Sequence, residues 1–363
     1  MKRVAILYGG RSGEHEVSLN SGASVFRNLD REQFEPLLIG ITGDGRWYLQ
    51  PPEVAEAAVE PETALRVAVD PGMEVAVLPS RGVSVSGERL GVDVAFPVLH
   101  GSFGEDGTVQ GLLELASIPY VGAGVLGSAL GMDKQRVKEI WEYHRLPVLP
   151  FVGFSRREFE SRGPEALVAP ILEKWEYPLF VKPSRAGSSV GISRVTEPGK
   201  LRAAIEEAFS WDTRIIVEPG VDAREIETAV LGGEEPRVFE PGEVIVRSEF
   251  YSYEAKYVDP EGASLEIPAR LEEGVRRRIM EVAARAFSVA DCHGFARVDL
   301  FLHRRSGEIY LNEINTIPGF TRISMFPKMV EYGGLSYRQL LTTLIALAEE
   351  RHTARGRLRY QWL

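Results

Sequence analysis

Phe295-Ala-Arg-Val-Asp-Leu-Phe-Leu302 and Glu308-Ile-Tyr-Leu-Asn-Glu-Ile-Asn315 decide how this chain is read. Both stretches are rich in β-branched and aromatic residues, and both read as strands. His303-Arg-Arg-Ser-Gly307 between them is a turn, with Gly where a positive φ is needed. In a hairpin centred on Ser306, residues equidistant from the turn face each other, so Asp299 falls opposite Glu313. Side chains alternate along a strand, so Asn315 shares a face with Glu313, and Arg297 with Asp299. Opposed carboxylates repel and destabilise a hairpin unless a cation sits between them. Two carboxylates and an amide oxygen make an all-oxygen set suited to Mg²⁺ or Mn²⁺, with phosphate oxygens to complete the shell. The competing reading is a solvated hairpin whose acids share no role.

The bulk numbers bound the rest. At 363 residues the chain is too long for one ordinary core, so two or three domains are expected. Apolar residues make up 44% and charged residues 26%, as in a folded globular protein. A formal net charge of −10 argues against a nucleic acid or an anionic membrane as the main partner. Cys292 is the single cysteine, so no intrachain disulfide forms; its apolar surroundings read as packing. No run reaches the roughly 18 apolar residues of a membrane span. Met1–Tyr8 enters a strand without the apolar core and cleavage site of a signal peptide, so the cytoplasm is the expected location.

Along the chain, Val4–Tyr8 reads as a strand, Gly9–Gly13 as a turn, Ser18 as the cap of a helix toward Asn28, and Phe34–Gly40 as the next strand. That order begins a parallel α/β unit. Val92–Leu99 reads as a buried strand and Thr108 as the start of a helix. Asp133–Tyr143, Pro198–Phe209, Glu272–Ala290 and Leu335–Glu350 read as helices. Tyr177–Pro183, Ser188–Val195, Arg214–Glu218 and Arg224–Leu231 read as strands. From Arg351 onward the chain reads as a basic, loosely packed tail.

Several residues can do chemistry. Lys182 closes a strand ahead of Gly187-Ser-Ser-Val-Gly191, where small residues let backbone N–H groups approach an anion. The same segment reads equally as a plain hairpin, and it is not a Walker A loop. Lys134 could reach a phosphate from a helix start or stand solvated. Arg297 is either a counter-ion of Asp299 or a group that neutralises a transferring phosphoryl. Glu14-His15-Glu16 and His100–Gly107 follow strand ends, where open α/β sheets bind ligands. A metal role for His15 and His100 lacks suitable ligand spacing. Pro318-Gly319 forces a turn whose N–H groups suit an oxyanion or a carboxylate. Tyr251–Tyr257 reads as a lid or as a strand edge.

Seven segments in one order resemble the D-alanine–D-alanine ligase family of ATP-grasp enzymes. They are Gly9-Gly-Arg-Ser-Gly-Glu14-His-Glu-Val-Ser18, His100-Gly-Ser-Phe-Gly-Glu-Asp-Gly-Thr-Val-Gln110-Gly, Met132-Asp-Lys134, Val181-Lys182-Pro-Ser-Arg-Ala-Gly-Ser188-Ser-Val-Gly191, Tyr253-Glu-Ala-Lys256-Tyr257, Arg297-Val-Asp299 and Asn312-Glu313-Ile-Asn315-Thr-Ile-Pro-Gly319. The resemblance runs from Val4 to about Leu347. It implies an α/β, ATP-grasp architecture of three domains: 1–127 on the substrate side, 128–215 and 216–350 enclosing ATP, and a tail 351–363. It further implies that Asp299, Glu313 and Asn315 hold two Mg²⁺ (or Mn²⁺) ions. Lys134 and Lys182 would bind phosphate, Ser188 and Ser189 would close over it, Glu218 would take the adenine amino group and Glu225 the ribose, with Lys256 also at the nucleotide. Glu14, Ser188 and Tyr257 match a trio that closes the site, with Glu14 on the ammonium of the first D-alanine. Arg297 and the Gly319 N–H would stabilise the transition state. Ser324 and Met325 match positions at the second D-alanine carboxylate, and His100 joins the substrate set. Some relatives carry a lysine where Pro219 stands, which places adenine recognition on Glu218 and backbone groups.

The implied reaction joins two D-alanines for peptidoglycan synthesis at the expense of ATP, through an acyl phosphate. The partners are then small molecules, with no nucleic acid, no membrane and a homodimer expected. Two other readings compete: a D-alanine–D-lactate ligase, and a nucleotide-binding sensor without turnover.

Overall fold

Val4–Leu7, apolar at every position, is suited to a strand covered on both faces. In the computed structural model, which describes residues 1–60, 63–246 and 263–359, it forms the middle of β1 (Lys2–Gly9). β1 pairs in parallel with β2 (Phe34–Ile41) and β7 (Val94–Pro97), and β3 (Trp47–Leu49) adds antiparallel to β2. The small strands β4 (Val75–Leu78), β5 (Gly82–Val85) and β6 (Glu88–Leu90) form a separate sheet. The helix His15–Asn28 makes the crossover from β1 to β2. Ser18 lies inside this helix rather than at its cap; its hydroxyl accepts from Gly9 N at 2.8 Å and donates to Val98 O, tying the turn to the sheet.

A second sheet is wholly antiparallel, in the order β10 (Ser193–Val195), β9 (Leu179–Pro183), β11 (Arg214–Pro219), β8 (Val152–Ser155). The strand expected over Ser188–Val195 is shorter than read. Ser188, Ser189 and Gly191 adopt positive φ of 50°, 60° and 69°, which no strand accommodates.

The third sheet runs β15 (Ala263–Glu266), β14 (Gly242–Val246), β12 (Ala223–Gly232), β16 (Gly294–His303), β17 (Ile309–Asn315), with β13 (Arg237–Val238) on β12. Ala296, Val298, Leu300 and Leu302 of β16 pack with the helices Glu273–Val289 and Lys134–Tyr143. The alternate residues Arg297 and Asp299 therefore point to the opposite face.

Two boundaries differ from expectation. A division at 215/216 cuts β11; the change of sheet falls between β11 and β12. Val137, Trp141 and Leu146 are buried with Ile226, Val298 and Leu311, so this part of 128–215 packs against the third sheet. The tail also differs: the last helix runs Tyr337–Gly356, and Arg351 lies across Tyr120, donating to Tyr120 O at 2.9 Å and to Gly122 O. One buried core joins the first and third sheets, with Phe96 edge-on to Phe320 at 6.0 Å. Among the described residues no helix is long and apolar enough to cross a membrane.

Candidate active site

Asp299 pairs with Glu313 across β16 and β17, and Arg297 with Asn315. The register arrives there by an unexpected route. Next to the turn, Leu302 pairs with Ile309 and Leu300 with Leu311, one residue out of step with a hairpin centred on Ser306. A bulge between Asp299 and Leu300 restores the step and leaves Asn312 as the extra residue.

Protein cations already stand at both acids. Arg297 donates to both Asp299 oxygens, from Nε at 2.7 Å and Nη2 at 2.6 Å, and its Nε lies 3.0 Å from Glu227 Oε2. Burial alone would disfavour the guanidinium, but Asp299 and then Glu227 hold its pKa well above the ordinary value. Lys134 Nζ stands 3.5 Å from Glu313 Oε2. Each of the two acids is thus compensated by a protein cation, so the expectation that these acids need a bound cation to sit opposite each other is corrected. Glu227, directly opposite Asp299 on β12, escaped the sequence reading. Its signal was the alternation of Glu225 and Glu227 about the buried Ile226.

The donor chemistry still fits a hard cation. Asp299, Glu313 and Asn315 bring two carboxylates and one amide to adjacent positions of one ladder. Asn315 Nδ2 donates to Asp299 Oδ2 at 3.0 Å, and turning the amide over presents its oxygen instead. Among the described residues no three His, Cys, Asp or Glu side chains gather as a metal site.

Three lysines converge beside it. Asp133 caps the helix Lys134–Tyr143 by accepting from Arg136 N at 3.1 Å, which fixes Lys134 at the first turn. Lys134 Nζ donates to Ala186 O at 2.7 Å. One turn on, Lys138 Nζ lies 2.6 Å from Glu218 Oε1 and donates to Leu311 O at 3.2 Å. Lys182 Nζ lies 2.7 Å from Glu218 Oε2 and 3.4 Å from Asn312 Oδ1. Burial would raise the pKa of Glu218, but Lys138 and Lys182 outweigh it and hold the carboxyl down to about 2. Lys138 was also missed; on sequence it is one more charge on a polar helix face. Glu225 sits on β12, in register with Phe301 and Val244.

The loop after Lys182 reaches back to the first sheet. Ser188 Oγ donates to Glu14 Oε1. A Cβ on Gly187 would fall 2.7 Å from Glu14 Oε2, and one on Gly101 2.5 Å from it. Glutamate 14 is therefore seated between two loops that only glycine keeps open at those points. Glu105 accepts from Gly101 N at 2.8 Å and from Ile317 N at 2.9 Å, and burial followed by the Glu14 carboxylate pushes its pKa up to about 8. A pocket opens here, lined by Glu14, Glu105, Lys134, Ser188, Glu313 and Asn315 among others.

Residues 3–123 match the family model of the D-ala D-ala ligase N-terminus, and residues 140–346 that of the C-terminus. The chain belongs to the D-alanine–D-alanine ligase family. It is 46% identical over 354 residues to the D-alanine–D-alanine ligase of Treponema denticola, covering 96% of each chain. It is 47% identical over 366 residues to D-alanine–D-alanine ligase A of Bradyrhizobium diazoefficiens, covering 98% of this chain and 97% of that one. Among solved structures it resembles the D-alanine–D-alanine ligase of Coxiella burnetii, with a TM-score of 0.83, 34% identity and coverage of 98% and 97%. It also resembles the D-Ala:D-Ser ligase of Enterococcus faecalis, with a TM-score of 0.82, 40% identity and coverage of 96% and 99%. The fold is the ATP-grasp fold of these D-alanine–D-alanine ligases.

Within this ligase fold, the remaining candidates fall at or beyond the pocket edge. His100 is buried, with Nδ1 2.9 Å from Ile317 O and Nε2 2.9 Å from Ser21 Oγ. Burial lowers its pKa. Both ring nitrogens face protein atoms, so His100 meets the pocket through the Ile317 segment. Together with Glu105 it grips both polar groups of Ile317, two residues before Gly319. Gly319 lies against Ser324, whose Oγ accepts from Thr321 N at 3.2 Å. Met325 is buried in the core shared by the first and third sheets. His15 Nδ1 lies 2.9 Å from Gly10 O, and Cys292 is buried, which pushes its thiol pKa up. Lys256, Tyr257 and the rest of the Tyr251–Tyr257 segment lie outside the described residues.

Proposed function

We propose that this protein joins two D-alanines into D-alanyl-D-alanine for peptidoglycan synthesis, consuming ATP and releasing ADP and phosphate. The observation that carries the reading is that Glu14, Lys134, Glu313 and Asn315 line one pocket. An amino acid whose ammonium rests on Glu14 directs its carboxylate toward the lysines, where the γ-phosphate of ATP belongs. Its carboxylate oxygen attacks that phosphorus and ADP leaves, giving D-alanyl phosphate. The amine of the second D-alanine then attacks the acyl carbon, phosphate departs, and the amine's proton is released.

In this scheme Lys134 and Lys182 neutralise phosphate oxygens, and Arg297 stabilises charge that develops in both transfers. The Gly319 N–H offers a donor to the acyl oxygen. Ser188 and Ser189 close the loop over the phosphates, which keeps water from the acyl phosphate. Glu218 takes the adenine amino group, Glu225 the ribose, and Ser324 with Met325 borders the second D-alanine. Asp299, Glu313 and Asn315 would hold the Mg²⁺ or Mn²⁺ ions, which supply charge neutralisation for the phosphates when bound. Lys256 and Tyr257 complete the proposal from outside the described residues. A homodimer and a cytoplasmic location belong to it as well, and rest on the family resemblance.

The acceptor is the open choice within this chemistry, since a D-Ala:D-Ser ligase shares the fold. The relatives named above as D-alanine–D-alanine ligases favour D-alanine. Purified protein supplied with ATP, Mg²⁺ and D-alanine, alone or with D-serine or D-lactate, should form mainly D-alanyl-D-alanine at neutral pH. Dominant ester or mixed dipeptide would overturn the acceptor, and absence of phosphate release would point to a sensor.

A further inference from the structure

Lys138 has no place in the scheme above, although it is as deeply buried as any residue of the site, 1% exposed. A lysine so placed is costly unless it is paired and hydrogen-bonded. Its partner is Glu218, also 1% exposed, and the same carboxylate holds Lys182 on its other oxygen. One buried acid is thus shared by two cations. The two cations differ in what else holds them. Lys138 projects from a helix and is anchored on Leu311 O, a strand carbonyl beside the β17 bulge. Lys182 closes β9, immediately before the loop that reaches Glu14, and its second contact is the longer one, 3.4 Å to Asn312 Oδ1.

We propose that Lys138 is a positioning residue for the nucleotide: it keeps Glu218 charged and oriented toward the base when Lys182 turns to a phosphate. With Lys138 present, Lys182 can leave without stranding a bare carboxylate in the interior. Without it, Lys182 is the counter-charge left on Glu218 among the described residues and stays bound to it, or Glu218 takes up a proton and ceases to be an acceptor. Either outcome removes the acceptor that distinguishes a 6-amino purine from a 6-oxo purine. The inference rests on reading Glu218 as the acceptor of the adenine amino group.

The test compares kcat/KM for ATP and for inosine triphosphate in the full-length protein, with D-alanine saturating. Lys138→Met, similar in length and uncharged, should raise the KM for ATP at least tenfold and cut the preference for ATP at least tenfold, while the KM for D-alanine stays within twofold. Glu218→Gln should shift the preference in the same direction, because its amide can donate to the inosine oxygen. Equal losses with both nucleotides in Lys138→Met, beside a shifted preference in Glu218→Gln, would assign Lys138 a structural role only and overturn the proposal. An unchanged preference in Glu218→Gln would instead overturn the adenine reading of Glu218, and the proposal with it. If Lys138→Met does not fold, Lys138→Gln, which keeps a donor for Leu311 O, carries the same expectations.

Discussion

Asp299 and Glu313 face each other because Asn312 is bulged out of the ladder between β16 and β17. Without the bulge, the register next to the turn would continue and Asp299 would face Asn312. Glu313 would then point into the apolar core, because a slip of one residue exchanges the two faces of a strand. The bulge lets Leu311 and Ile314 both enter the core while Asn312 and Glu313 border the site.

Glu313→Gln keeps the shape of the side chain and removes its charge. Phosphate release with ATP, Mg²⁺ and D-alanine should fall by at least about 100-fold, the scale of losing one electrostatic contact in the transition state. Circular dichroism should stay unchanged. Mg-nucleotide should raise the thermal midpoint of the parent protein and do so less in the variant. Unchanged turnover would remove Glu313 from the site.

Glu218 makes the fold sensitive to acid. Its carboxyl is held down to about 2 in the folded protein, with burial opposing and Lys138 and Lys182 prevailing. Between that value and the ordinary carboxylate range the unfolded chain binds the extra proton, so stability is present above the ordinary value and is lost as pH falls toward 2. The loss is on the order of 3 kcal/mol. Urea unfolding from pH 7 to pH 3 should show about 2 kcal/mol of it, and Glu218→Gln should flatten the profile. The same variant should be weaker at pH 7 by about 3–5 kcal/mol, because Lys138 loses its counter-charge.

Gly187→Ala tests how closely the loop must approach Glu14. The new Cβ would lie 2.7 Å from Glu14 Oε2, so the acid or the loop must shift. Displacement by part of an ångström should raise the KM for D-alanine about tenfold or more and leave the thermal midpoint nearly unchanged. A steady-state titration of D-alanine that matches the parent protein would disconnect this contact from substrate.

Arg351→Met should destabilise the protein without touching the chemistry. The guanidinium donates to Tyr120 O and Gly122 O and covers the Tyr120 ring. Leaving those carbonyls unpaired costs about 1–3 kcal/mol each. Differential scanning calorimetry should register a lower midpoint, with dipeptide synthesis at 25 °C retained. No shift would mean that the Arg351 contacts add nothing to stability.

Local chemistry made much of this protein legible in advance. The apolar run Val4–Leu7, the helix after Thr108 and the hairpin at Asp299 and Glu313 follow from side-chain periodicity and turn residues, which depend on neighbours a few positions away. Even there the turn lies half a residue from the centre that the pattern predicts, and the bulge restores the pairing of Asp299 with Glu313. The spacing of Leu311 and Ile314, three rather than two, is the sign of that bulge. The motifs also indicated the ligase family. What the tertiary structure alone decided is which charges meet. Arg297 shared between Asp299 and Glu227, Glu218 held by both Lys138 and Lys182, and Glu105 with His100 gripping Ile317 each join elements far apart in the chain. A lysine on a polar helix face reads the same whether it meets water or a buried carboxylate. The difference lies in burial and in the partner brought from another strand, and packing supplies both.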